Sequence, residues 1–130
     1  MLVIDASVAV QAALGEAGFE PLAREDLVAP TLLWSEVASA LHELAWRRVV
    51  PPAHARDALE RFRSGPIVQK QPRGLRLDAW AVADELGWAK TYDAEYVALA
   101  RRLDTTLVTL DARLARGASR LVRAVGPTEL

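Results

Sequence analysis

Short apolar runs alternate with longer stretches of helical period from one end of the chain to the other. Met1-Leu2-Val3-Ile4 is continuously apolar and ends in Asp5-Ala6-Ser7, the pattern of a strand buried on both faces that delivers its carboxyl end to a turn. Ser7 is placed to cap a helix over 8–14, which Gly15 closes. A second short helix over 16–24 and a strand over 26–29, stopped by Pro30, follow. The longest helix is expected over 31–49, with Leu33, Val37, Ala40, Leu41 and Leu44 as its inward stripe. Trp46 lies nearly opposite that stripe, placed either to pack under the next helix as a hairpin, the favoured reading, or to face a partner. Pro51-Pro52 breaks the pattern, a helix resumes over 53–64, and Gly65-Pro66 turns the chain into a third strand at Ile67-Val68-Gln69. After a polar loop over 70–74 come helices over 75–86 and 93–103, with Trp80 and Trp88 read as packing residues. Thr106 to Leu110 is the cleanest strand signal, β-branched and apolar, and it ends in Asp111. A short helix over 112–116, stopped by Gly117, and an edge strand over 121–125 complete the pattern. Strands separated by helices throughout predict a mostly parallel sheet with helices on both faces.

Composition narrows the chemistry. At 130 residues, 52% hydrophobic and 25% charged, the chain reads as one globular domain spanning 1–130. It has no cysteine, which excludes a thiolate metal site, and its only two histidines, His42 and His54, stand in no zinc-binding spacing, so no zinc site is expected. A net charge of −1 offers no chain-wide basic field for nucleic acid, although a cation held in an acidic pocket supplies positive charge for phosphate. No apolar run approaches a membrane span and no leader-like pattern follows Met1, so a cytoplasmic location is expected.

The candidate chemistry lies in four acids. Asp5 and Asp111 each close a strand, and in a parallel sheet both fall at the same edge. Asp93 opens the helix that precedes the last of these strands, on the same side as the apolar positions Tyr96, Val97 and Ala100. Glu36 is early in the longest helix, about a quarter-turn from the centre of its apolar stripe at ~100° per residue. Taken singly, each has an ordinary reading as a cap, a turn residue or a solvated surface acid. Four carboxylates converging in one dry pocket repel one another unless a hard cation neutralises them, and oxygen donors select Mg²⁺ or Mn²⁺. Such a site polarises a phosphodiester and activates water.

The segments Asp5-Ala6-Ser7-Val8, Pro30 to Val37 with Glu36 inside it, Tyr92-Asp93-Ala94-Glu95-Tyr96-Val97-Ala98-Leu99-Ala100 and Leu107-Val108-Thr109-Leu110-Asp111 resemble, in order and context, those of PIN domains. In particular they resemble the VapC toxins of type II toxin–antitoxin modules. The likeness runs through essentially the whole chain, and Tyr-Asp-Ala and Val-Thr-x-Asp are its most specific parts. It implies a three-layer α/β/α sandwich and an endoribonuclease dependent on Mg²⁺ or Mn²⁺. Asp5, Glu36, Asp93 and Asp111 would form the catalytic metal site, with Ser7 and Thr109 as supporting hydroxyls. It also implies an RNA substrate, a VapB-type antitoxin and a homodimer. Other classes fit less well. A receiver domain needs paired acids after its first strand and a late lysine, whereas Asp5 is single and no lysine follows Lys90. An aspartyl-nucleophile phosphohydrolase needs Asp-x-Asp where this chain has Asp-Ala-Ser. A non-catalytic binding module on the same fold would not keep all four acids for chemistry.

Overall fold

The computed structural model describes residues 1–130. Five strands, β1 (Leu2–Ile4), β2 (Leu27–Ala29), β3 (Val68–Gln69), β4 (Thr106–Val108) and β5 (Ala124–Val125), form a single sheet in the order β3-β2-β1-β4-β5. Every neighbouring pair is parallel. The connections hold six helices: α1 (Ala6–Leu14), α2 (Leu32–Trp46), α3 (Pro52–Arg63), α4 (Leu75–Leu86), α5 (Tyr92–Arg102) and α6 (Ala112–Ala118). Right-handed crossovers put α1, α2 and α3 on one face and α4, α5 and α6 on the other. The packing agrees, since α1, α2 and α3 touch one another and α4 runs along α5. The result is a three-layer α/β/α sandwich. No helix is long and apolar enough to cross a membrane.

The winding direction sets where a ligand can bind. From β1 the chain moves outward to β2 and β3, then returns across the sheet to β4 and β5. The reversal falls between β1 and β4, and the crevice beyond the carboxyl ends of those two strands is the binding place in open α/β sheets. Both strands belong to the core, with Val3, Ile4, Leu107 and Val108 fully buried. Above them α5 is buried from Ala94 through Ala100. Alanines at 94, 98 and 100 let this helix lie close to the sheet while α4 covers its other side.

Several boundaries differ from those the periodicity predicts. The segment over 16–24 forms only a 3₁₀ turn at Glu20–Leu22, because Gly18 takes φ +57° and Pro21 sits at the turn's start. The helix expected to reach residue 49 ends at Trp46, where Arg48 adopts φ 60°. Trp46 itself is 77% exposed instead of packing under α3, because the buried stripe at Leu33, Val37 and Leu41 faces the opposite way. Trp80 is likewise exposed, since Ala79, Val82 and Ala83 already fill the inner side of α4. Trp88 does pack, and it explains Gly117, which lies inside α6 and does not end it. A β-carbon there would come within 2.6 Å of the Trp88 ring.

Candidate active site

Register brings the first two acids together. Ile4 pairs with Val108, and the Asp5 N–H donates to the Val108 carbonyl, so Asp5 and Thr109 emerge side by side at the carboxyl edge of the sheet. Thr109 is 2% exposed, and its hydroxyl donates to Asp5 Oδ2 at 2.5 Å. The Ser7 hydroxyl donates to Asp5 Oδ1 at 2.6 Å and accepts the Leu110 N–H at 2.9 Å. The N-cap of α1 is therefore Asp5, which accepts the Val8 N–H at 3.2 Å, and not Ser7 as the sequence suggests. A carboxylate is the stronger acceptor for an orphan helix N–H, and this frees Ser7 to turn back onto the acid. The Thr109 hydroxyl in turn accepts the Asp111 N–H at 3.0 Å, tying the β4–α6 turn to the same frame. Asp111 caps α6, accepting the N–H groups of Arg113 at 2.9 Å and Leu114 at 3.2 Å through Oδ1.

The other two acids arrive from the helix layers. Glu36 is half-buried in α2 on one face of the sheet, and Tyr96 is buried in α5 on the other. The Tyr96 hydroxyl donates to Glu36 Oε1 at 2.5 Å, linking the two layers over the strand ends. The start of α2 is tied down as well, because Gln71 Oε1 accepts the N–H of Thr31 at 3.0 Å. Asp93 stands in the first turn of α5 and keeps solvent contact. Glu36, Asp93 and Asp111 line one crevice of about 550 Å³ together with Trp88, Tyr92 and Arg113. Asp5, 5% exposed, lies outside that wall behind its frame of hydroxyls.

The electrostatics are those of crowded anions. Burial raises the Asp5 pKa against the pull of its Ser7, Thr109 and Val8 hydrogen bonds, and Asp111 raises it further. Burial also raises Glu36, opposed by the Tyr96 hydroxyl and reinforced by Asp93 and Asp5. Asp93 is raised by lost solvation, then by repulsion from Asp111 and Asp5, with Arg113 acting the other way. The Tyr96 hydroxyl, buried against Glu36, is held far above the ordinary phenol range and stays a hydrogen-bond donor.

This donor set suits a hard divalent cation. It is all oxygen, includes no sulfur or imidazole, and its members repel one another in the absence of positive charge. In the conformation described, no group of three or more acidic side chains is drawn close enough to hold an ion. Two buried polar groups near the site carried no clear sequence signal. Tyr96 reads as one more apolar position on α5, and only the general need of a buried tyrosine hydroxyl for a partner hints at its bond to Glu36. Glu95 reads as a helix-forming surface residue, yet it is 6% exposed and its Oε1 atom has no partner.

Fold and site define a class: a doubly wound α/β sandwich with acids gathered at the reversal point of its sheet. The PIN domain family matches residues 2–119. Ribonuclease VapC9 of Mycobacterium tuberculosis is 40% identical over 116 residues, which span 88% of this chain and 89% of that protein. Among solved structures, PAE2754 from Pyrobaculum aerophilum is 26% identical, with a TM-score of 0.75 over 98% of this chain and 85% of the other. FitAcB from Neisseria gonorrhoeae shares the fold at 17% identity, with a TM-score of 0.61 and full coverage of both chains. The chain belongs to the PIN-domain family and, within it, to the VapC ribonucleases of toxin–antitoxin modules, hydrolases that act on RNA.

Proposed function

We propose that the crevice is the cleavage site of an endoribonuclease that works with Mg²⁺ or Mn²⁺, held by Asp5, Asp93 and Asp111 with Glu36 beside them. The observation that carries this reading is the convergence of acids from the end of β1, α2, α5 and the β4–α6 turn at the reversal point of the sheet, where burial first and repulsion between neighbouring acids second raise the pKa values of Asp5, Glu36 and Asp93. A divalent cation bound there supplies charge to polarise the scissile phosphodiester and to lower the pKa of a ligand water. The protein's own groups do the positioning. Ser7 and Thr109 fix the Asp5 carboxylate through short hydrogen bonds, so its orientation costs nothing when an ion arrives. The Tyr96 hydroxyl holds Glu36 Oε1 at the crevice and opposes the effect of burial on the carboxylate, leaving the other oxygen to accept from an attacking water. Asp111 is pinned through one oxygen by the start of α6, which leaves the other for a ligand. Small rotations, chiefly of the solvent-accessible Asp93, gather these oxygens when an ion binds.

The chain acts as the toxin partner of a VapB-type antitoxin and assembles as a homodimer. Calorimetric titration with Mn²⁺ tests the site directly. Binding by the wild-type chain that disappears in Asp93→Asn, at unchanged circular dichroism, is the expected result. Equal binding by both proteins would remove Asp93 from the site.

A further inference from the structure

The solvent side of α6 carries arginines that no carboxylate answers. Between Ala112 and Thr128 the sequence holds four arginines and no acid, in a chain whose net charge is −1. At ~100° per residue, Arg113 and Arg116 fall within about 60° of each other on α6, on the side opposite the buried Leu114 and Ala118, and Arg120 follows in the turn just past the helix end. All three are exposed. The ion pairs of the molecule engage other arginines, at 47, 63, 101 and 102. A helix face that merely keeps a protein in solution ordinarily mixes both signs.

This stripe has a definite start and end. Arg113 stands in the wall of the acid crevice, close enough to act on Asp93. From there the arginines continue through Arg116 and past the end of α6 at Ala118 to Arg120. There the surface opens into a second cavity, of about 490 Å³, where Arg120 is joined by Arg101, Arg123 and the hydroxyl-bearing Thr105, Thr106 and Ser119. Arg101 shares its charge with Glu85, and Asp104 is the one acid in the wall. Arg123 makes two long contacts, from Nη1 to Thr106 Oγ1 and from Nη2 to the Glu129 carbonyl, both at 3.4 Å, and neither partner carries a charge.

We propose that this stripe is the track along which the RNA strand leaves the cleavage crevice, with Arg116, Arg120 and Arg123 holding successive phosphates. The inference rests on the acid crevice as the place where RNA is cut. Guanidinium groups suit the task because they pair with phosphate oxygens through two parallel N–H bonds. The arrangement also gives a chain of net charge −1 a local run of positive charge beside the crevice for a polyanionic substrate.

The test is equilibrium binding of a fluorescein-labelled single-stranded RNA of mixed sequence to the Asp93→Asn protein, followed by anisotropy over a salt series. Each phosphate contact on a single strand contributes about 0.7 to the slope of log K against log[salt], so the triple replacement Arg116→Gln, Arg120→Gln and Arg123→Gln should lower that slope by about 2. Affinity at low salt should fall by more than tenfold. Arg47→Gln with Arg63→Gln, a control that removes exposed arginines elsewhere, should change neither quantity. An unchanged slope in the triple variant, with circular dichroism intact, overturns the proposal. So does an unchanged slope accompanied by loss of antitoxin binding, which would give the stripe to a protein partner. Cleavage by the protein with Asp93 intact, measured in parallel, keeps the two readings apart. Cleavage with an arginine-independent slope contradicts the stripe alone, whereas an arginine-dependent slope without cleavage supports the stripe and contradicts the crevice.

Discussion

Asp5 and Glu95 are both acids, both almost wholly buried at 5% and 6% exposure, and both have raised pKa values for which burial is the leading cause. Their surroundings differ completely. Both Asp5 oxygens accept short hydrogen bonds from hydroxyls, and a backbone N–H adds a third. Three further carboxylates, Glu36, Asp93 and Asp111, stand nearby, and Asp111 repels Asp93 along with it. Glu95 projects from the same helix as Asp93, yet its Oε1 has no partner and the attraction of Arg76 is its only resolved relief. Burial of an acid thus does not by itself make a site. What distinguishes Asp5 is a frame of donors that fixes the carboxylate, placed where the sheet reverses and other acids converge.

The largest effect that can break this comparison is on catalysis. Asp5→Asn should reduce RNA cleavage by more than the ~10–100-fold loss typical of an outer-shell partner. Glu95→Gln should leave cleavage within about twofold, because Glu95 is no part of the crevice wall. Initial rates on one RNA preparation compare the two directly, and equal losses would erase the distinction. Tyr96→Phe removes the donor to Glu36 without changing volume, and a loss in the outer-shell range of about tenfold is expected, with most of it in metal affinity.

Stability sharpens the contrast further. A divalent ion at 100 times its dissociation constant should stabilise the protein by about 2.7 kcal/mol, an effect that Asp93→Asn abolishes and Glu95→Gln preserves. Thermal melts with and without Mn²⁺ measure it. Glu95→Gln should itself stabilise the metal-free protein by about 1 kcal/mol at neutral pH, because it replaces a buried, incompletely paired charge with a neutral amide. The pH dependence follows from the same shifts. Asp5, Glu36, Asp93 and Glu95 have raised pKa values in the folded state, so the folded metal-free protein binds protons more tightly than the unfolded chain. Its stability should therefore rise as pH falls from neutral through those raised values and level off near the ordinary carboxylate range of about 4. Glu95→Gln should make this rise shallower, and melts in EDTA across that window are the check.

Much of this arrangement is legible in the sequence, for physical reasons that vary with the element. Parallel strands buried on both faces must read as unbroken apolar runs, so β1 and β4, with Asp5 at the end of one and Asp111 just beyond the other, are evident from composition alone. The α2 stripe is equally clear, and with it the oblique position of Glu36. What the pattern misses depends on contacts between distant segments. Ser7 and Asp5 compete to cap α1, and the outcome is decided by Thr109 and the Leu110 N–H, a hundred residues away. Gly117 looks like a helix stop, but it is small because the Trp88 ring occupies its β-carbon position. Tyr96 is recognisable as core, while its bond to Glu36 exists only once two helix layers meet across the sheet. Trp46 and Trp80 show the opposite failure, since their size predicts burial that neighbouring small residues have already made unnecessary.

RNA cleavage with Mg²⁺, with Mn²⁺ and with EDTA, by the antitoxin-free wild-type protein and by Asp93→Asn, tests the central claim most directly. Total cellular RNA is the substrate. The site described here predicts discrete fragments from the wild-type protein with either ion, none with EDTA and none from the variant. Fragments that persist in EDTA, or that Asp93→Asn produces as readily as the wild type, would contradict a metal-dependent active site built on these acids.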